Sequence, residues 1–123
     1  MMQARFLLLA ALAGFTGVAL GAFGAHGLKN VLTEHYLEIY KTAVSYQMWH
    51  ALLLAIVAVL PRQRLLYWAG WSLVIGMLLF SGSLYVLAIF QLNWLGMITP
   101  LGGLAFLVAW GLLAFAAYRH RDV

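Results

Sequence analysis

The chain has 123 residues, of which 66% are hydrophobic and only 8% are charged, whereas soluble domains are about 45–50% apolar and about 25% charged. So few charges cannot cover a surface in water, which makes lipid the expected surrounding, and the length leaves room for one domain. The chain has no cysteine, which excludes disulfides, thiolate metal sites and iron–sulfur clusters. The net charge of +4 comes from basic residues at the edges of apolar runs, which indicates membrane orientation rather than nucleic-acid binding.

Four apolar runs follow one another along the chain, each close to the roughly 20 residues that span a bilayer. They predict transmembrane helices over about residues 6–26, 36–60, 67–90 and 97–118. Pro61 falls after the second run, and Pro100 falls in the first turn of the fourth, where a helix tolerates proline best. Because the connectors are short, residues 1–123 are expected to form a single integral membrane domain, an all-α bundle of four helices. The first run also resembles a signal peptide, but it is longer than the roughly 7–15 apolar residues of that class, which favours a retained helix.

The charged residues separate into two groups when the four helices alternate in direction. One end of the bundle, called the arginine end below, receives Arg5, Arg62, Arg64, Arg119 and Arg121. The other, called the lysine end, receives Lys29 and Lys41, balanced by Glu34 and Glu38. Because basic residues are retained on the cytoplasmic side, both termini are predicted to be cytoplasmic.

Small residues at helical spacing predict close helix packing. They are Gly14, Gly17, Gly21 and Gly24 on the first helix, and Gly102 and Gly103 on the fourth. The first set recurs at steps of three and four residues, so it forms one stripe on which another helix can approach closely. Packing within the bundle is the expected use of these glycines, and a homo-oligomeric interface is the alternative.

Polar side chains within the spans are concentrated in the half of the bundle nearer the lysine end. On the second helix, Tyr40, Gln47 and His50 share one arc of the helical wheel, and polar groups within spans usually face the bundle interior. Packing this arc against the glycine stripe would bury Gln47 and His50. We therefore expect a polar pocket that is closed toward the arginine end and open toward the outside. Its candidate lining residues are His26, Tyr40, Gln47, His50, Ser81, Tyr85 and Thr99.

Two histidines leave both structural and chemical roles open. His26 precedes Gly27, which can adopt the left-handed conformation that ends a helix, so His26 can simply bond the last carbonyls. His50 can bond Gln47, Tyr46 or a serine. The alternative is that His26 and His50 together bind haem or a metal, because neutral imidazole ligates both. No further ligand cluster is visible, and no cofactor is predicted.

Transport and catalysis are less favoured by the residues available. Proton-coupled transporters carry Asp or Glu within their spans, and the apolar runs here, of which the second begins only at Ala43, contain neither. Four short helices would also need an oligomer to form a pathway. No nucleophile–base arrangement, phosphate loop or HExxH motif is present. We therefore expect a protein that is not an enzyme. Its expected partner is the lipid bilayer, with a second copy or another membrane protein as a further candidate.

Four ordered segments together resemble a known family. They are Gly21–Lys29, Tyr40–Leu52, Phe80–Tyr85 and Thr99–Gly103. They are similar to segments of the small bacterial inner-membrane proteins classed as domain of unknown function 423, to which eukaryotic transmembrane protein 256 is related. The resemblance covers nearly the whole chain and implies a four-helix inner-membrane protein with no established catalytic activity. One departure is Ala109 before Trp110, where the family usually has glycine, and it affects only local packing.

These observations predict a multi-pass inner-membrane protein with a structural or homeostatic role in the cell envelope. It would act through a lipid, small-ligand or partner contact at the polar pocket in the outer half. The alternative is a haem- or metal-binding protein that uses His26 and His50. A small oligomeric transporter or channel is less favoured.

Overall fold

Four long helices account for most of the chain in the computed structural model, which describes residues 3–120. Helix α1 spans Ala4–His26, α2 spans Glu34–Val59, α3 spans Arg64–Phe90 and α4 spans Thr99–Arg119. Each is long and apolar enough to cross a membrane, and residues 3–120 contain no strand. The prediction of an all-α four-helix membrane bundle is therefore confirmed. Arg121, which was assigned to the arginine end, lies outside the described residues.

Helix α2 lies at the centre of the bundle. In its most apolar stretch 44% of the residues are buried, against 17% in α1 and 22% in α4. Helix α1 packs along α2, α4 packs along α3, and α2 also contacts α3. Helices α1 and α4 are consequently the outer members, and both expose most of their apolar side chains to lipid.

Both ends of the described chain lie at the arginine end of the bundle. The backbone N–H of Gln3, just before α1, donates to the carbonyl of Ala58 near the end of α2, at 2.7 Å. Phe6 of α1 and Ala116 of α4 belong to one buried apolar cluster. The side of the membrane that this end faces stays a prediction from the distribution of arginines.

The end of α1 differs from the prediction for Gly27. Its φ angle is −94°, so the left-handed conformation predicted there is wrong. A Cβ atom at this position would lie 2.7 Å from the exposed Phe23 ring and 3.1 Å from the Phe23 carbonyl oxygen, so limited space favours glycine there. The left-handed residue is Gln91, with φ of 56°, and it follows the last residue of α3.

A π-helical segment, Met77–Ser81, interrupts α3 near its middle. Such segments widen one turn of a helix and redirect the side chains that follow it. Gly102 of α4 lies directly against this segment, since a Cβ atom there would be 2.3 Å from the backbone nitrogen of Phe80. The two helices therefore make main-chain contact at a point where only glycine fits.

Candidate functional site

The side-chain amide of Gln47, at the middle of α2, connects three helices. Its Nε2 donates to the carbonyl of Ala13 at 2.8 Å and to Oγ1 of Thr16 at 2.9 Å, both on α1. Its Oε1 accepts from the hydroxyl of Tyr85 on α3, at 2.6 Å. Gln47 is buried, so these bonds replace the water that its amide would otherwise need.

Tyr40 fills the space above Gln47, on the side of the lysine end. Its ring is 1% exposed and lies edge-on to the ring of Tyr85, with 5.3 Å between the centroids. Its hydroxyl donates to the carbonyl of Leu20 on α1. Gly24 makes room for this ring, because a Cβ atom there would lie 2.3 Å from Cε1 of Tyr40.

The glycine stripe of α1 meets α2 along only part of its length. A Cβ atom at Gly17 would lie 2.4 Å from the sulfur of Met48, and one at Gly21 would lie 3.2 Å from Val44. A Cβ atom at Gly14 would have nothing within 4 Å. Close helix contact therefore requires the glycines near the lysine end and leaves Gly14 in open space.

A groove of about 340 Å³ lies beside the Gln47 amide, between α1 and α3. Its polar lining is Thr16, Gln47 and Tyr85, and its other lining residues are apolar or glycine: Leu9, Leu12, Ala13, Leu20, Val74, Met77, Leu78 and Gly82. Leu12 and Leu78 are 52% and 69% exposed, so the groove opens sideways to lipid. This differs from the outward-open pocket expected from sequence, because the buried ring of Tyr40 fills the interior toward the lysine end.

Every hydrogen-bond donor at this groove is already used. Both Nε2 hydrogens of Gln47 and the hydroxyl hydrogen of Tyr85 are committed as described above, and the Thr16 hydroxyl donates to the carbonyl of Leu12 at 2.9 Å. Oxygen lone pairs on the three side chains remain free to accept. The groove can therefore pair with a donor on a guest molecule, such as a hydroxyl, but it has no hydrogen to offer.

His50 belongs to a different contact, between α2 and α4. Its Nε2 accepts from Nε1 of Trp110 at 3.1 Å, so the ring hydrogen is on Nδ1, which donates to the carbonyl of Tyr46 at 2.7 Å. The ring stacks on Phe106 with 3.6 Å between centroids. In the neutral ring both nitrogens have hydrogen-bond partners, so neither is free to ligate a metal.

Three further hydroxyl groups, those of Ser81, Ser83 and Thr99, link α3 to its neighbours. Ser81, at the end of the π-helical segment, donates to the carbonyl of Ala43 on α2 at 2.8 Å. The hydroxyl of Ser83, two residues further on, is hydrogen-bonded to that of Thr99 on α4 at 2.6 Å. These two serines bond different helices, and none of the three hydroxyls lines the groove beside Gln47.

His26 lies apart from the other candidate residues. It is exposed as the last residue of α1, at the lysine end, whereas His50 is buried within α2. Among residues 3–120 there is no group of three or more His, Asp or Glu side chains that could hold a metal ion. The structure thus brings Tyr40, Gln47 and Tyr85 together and separates His26, His50 and Thr99 from them.

Two residues outside the predicted pocket, Thr16 and Trp110, complete these contacts. Thr16 was not among the pocket residues, although it follows Ala13 by one turn and therefore lies on the face that meets Gln47. Trp110 was not assigned a role, although its indole N–H needs an acceptor. Buried or half-buried tryptophans usually find an acceptor, so His50 was a candidate.

The fold and this set of interhelical bonds define a multi-pass membrane protein built from four helices. The sequence profile of the family described as "Protein of unknown function (DUF423)" matches residues 20–103, and the chain belongs to this family. It is 44% identical over 119 residues to the UPF0382 membrane protein YwdK of Bacillus subtilis, covering 94% of this chain and 97% of that protein.

Staphylococcal relatives give the same result. The UPF0382 membrane protein SH2409 of Staphylococcus haemolyticus is 44% identical over 116 residues, which are 93% of this chain and 95% of that protein. The protein SAB0533 of Staphylococcus aureus, with the same description, is 42% identical over the same shares. No solved structure matches the chain. The bacterial relatives and the four spans make this a multi-pass protein of the bacterial inner, or cytoplasmic, membrane.

Proposed function

We propose that the protein binds a hydroxyl-bearing amphiphile of the membrane without chemical change and serves a structural or homeostatic role in the cell envelope. The observation that carries this proposal is the groove beside Gln47, which opens to lipid and offers only acceptors. An alkyl or isoprenoid chain would lie along Leu12 and Leu78. Its hydroxyl would donate to Thr16 or Tyr85.

A non-catalytic role agrees with the state of the polar groups. Of the buried side-chain nitrogen and oxygen atoms in residues 3–120, none lacks a hydrogen-bond partner. Catalytic groups have to exchange protons or bonds with a substrate, whereas the hydrogen bonds of Gln47 and Tyr85 hold helices together.

A homo-oligomer or a membrane-protein partner stays a prediction. A groove of about 810 Å³ between α2 and α4 is the candidate surface for such a partner.

Photoaffinity labelling of the purified protein in lipid nanodiscs tests the proposal. The probe is a long-chain alcohol that carries a diazirine in its chain, and its methyl ether is the comparison because the ether cannot donate. We expect the alcohol to label α1 and α3 around Leu12 and Leu78 more strongly than the ether does. Equal labelling by the two probes would contradict recognition of the hydroxyl.

A pair of glycine variants shows whether labelling depends on the groove. Gly82 lines the groove and a Cβ atom there meets nothing within 4 Å, so Gly82→Leu adds bulk without a backbone clash. Gly111 on α4 has equally open surroundings and does not line this groove, which makes Gly111→Leu the matched control. Labelling of α1 and α3 should fall in the first variant and stay unchanged in the second. Loss in both, or in neither, would argue against the groove as the binding site.

A further inference from the structure

The arginine end of the bundle contains two adjoining cavities that the groove beside Gln47 does not explain. Their volumes are about 470 and 410 Å³, and Gln3, Arg62 and Tyr67 line both. Arg64 and Gln63 also line the first, and Arg5 also lines the second. Three arginines, from the start of α1, the α2–α3 connector and the start of α3, thus line two cavities that share three lining residues.

The positive charge of these arginines is not balanced by a carboxylate in residues 3–120. The two glutamates in that range, Glu34 and Glu38, lie in the first turns of α2 at the lysine end, where Glu38 pairs with Lys41 at 3.7 Å. Like charges held close together repel one another and attract anions. The arginine-lined space is therefore ready for a negatively charged group.

The helix starts at this end add to the same field. Helices α1 and α3 both begin here, and neither has a side-chain cap or an acidic residue in its first turn. Helix α2 begins at the lysine end and has both, because Thr33 accepts from the backbone of Tyr36 and Glu34 follows it. Uncapped helix starts have free N–H groups and a partial positive charge. Helix α4 also lacks both but begins at the lysine end, so the starts of α1 and α3 differ from it in lying beside the arginines.

Buried contacts hold the backbone that carries these side chains. The Phe6 ring is 1% exposed and fits against Gly70, where a Cβ atom would lie 2.5 Å from the ring. It also meets Trp71 edge-on, with 5.4 Å between centroids. The starts of α1 and α3 are thereby fixed relative to each other, so the backbone that carries these arginines is held without an anion.

We propose that this space binds the phosphate of an anionic phospholipid, with Arg62 and Arg64 as its principal contacts and Arg5 as a third. A guanidinium group often binds a phosphate through two parallel N–H···O hydrogen bonds. Basic pockets between transmembrane helices are typical sites for lipid headgroups. A lipid is favoured over free phosphate because Trp68 and Tyr67, 55% and 37% exposed, line the first cavity. Such aromatic rings lie at the level of lipid headgroups, and the apolar surface beyond them would meet the acyl chains. This site is separate from the groove beside Gln47 and does not depend on it.

Lipid retention by the full-length protein tests the proposal. The protein is purified in mild detergent, phosphatidylglycerol or phosphatidylcholine is titrated in, and bound lipid is counted by native mass spectrometry. We expect retention of phosphatidylglycerol in preference to phosphatidylcholine. Arg62→Gln and Arg64→Gln should each weaken that retention about fivefold, and Arg62→Lys, which keeps the charge but loses the paired geometry, should fall between Arg62→Gln and the parent.

Matched variants at the other end separate a site from general charge. Lys29→Gln and Lys41→Gln remove the same charge at the lysine end and should leave retention unchanged. Equal retention of both lipids by the parent, or equal loss in the lysine variants, would overturn the proposal. Displacement of phosphatidylglycerol by a millimolar excess of inorganic phosphate would overturn the assignment to a lipid. Arg62 and Arg64 are exposed, and unchanged thermal unfolding of their variants would show that any loss reflects binding.

Discussion

Replacing Gly102 by alanine tests the inference that α3 and α4 are in main-chain contact at the π-helical segment. The added methyl would lie 2.3 Å from the backbone nitrogen of Phe80 and 2.7 Å from its Cα. Backbone atoms cannot rotate away as a side chain can, so the two helices must separate. Overpacking of this kind costs about 1–3 kcal/mol, and contact with main-chain atoms favours the upper half of that range.

Two glycines on the same helix supply the controls. A Cβ atom at Gly111 meets nothing within 4 Å, and one at Gly103 is 3.8 Å from the Phe80 ring, an ordinary contact. Each Gly→Ala change also raises helix propensity by up to about 1 kcal/mol, and this gain is common to all three variants. Gly102→Ala should therefore be about 2–3 kcal/mol less stable than Gly111→Ala, and Gly103→Ala should resemble Gly111→Ala.

Unfolding in mixed micelles provides the measurement. The three variants and the parent are titrated with sodium dodecyl sulfate in a mild detergent, and loss of helix is followed by far-ultraviolet circular dichroism. The free energy of unfolding is compared among variants under identical conditions. If Gly102→Ala proves as stable as Gly111→Ala, α3 and α4 do not approach each other as closely as the structure has them.

Two further predictions concern the interhelical hydrogen bonds. In a double-mutant cycle of Gln47→Leu and Tyr85→Phe, we expect a coupling free energy of about 0.6 kcal/mol, the average for hydrogen bonds between membrane helices; strictly additive losses in the same unfolding titration would mean that the two side chains do not interact. Trp110→Phe removes the donor to Nε2 of His50 while keeping an aromatic ring, so it should destabilise by a similar amount, about 0.6 kcal/mol. The same change in a His50→Leu background should cost less, and an equal cost in both backgrounds would contradict the bond.

The positions of the four spans follow directly from the sequence. A chain with 66% hydrophobic residues lies in lipid, where backbone groups must bond internally, and helices satisfy that requirement within a single segment. The helix boundaries differ from the prediction, because α1, α2 and α3 each begin two or three residues before the predicted spans. Polar residues such as Glu34 and Arg64 form their first turns, and a hydropathy pattern does not detect helix that extends into the interface.

The partners of the polar side chains were decided by the tertiary structure alone. A helical wheel gives the direction of Gln47 within α2, but Tyr85 is 38 residues away and Trp110 is 60 residues from His50. Which group meets which depends on the rotation and register of neighbouring helices, and the π-helical segment changes both within α3. For the same reason the sequence gathered seven candidate residues into one pocket, whereas helix packing brings Tyr40, Gln47 and Tyr85 together and places His50 in a separate contact with α4. The sequence determined where the chain crosses lipid and where its charges lie, because burial of apolar groups and the cost of charge act locally; packing between helices decided which polar groups meet.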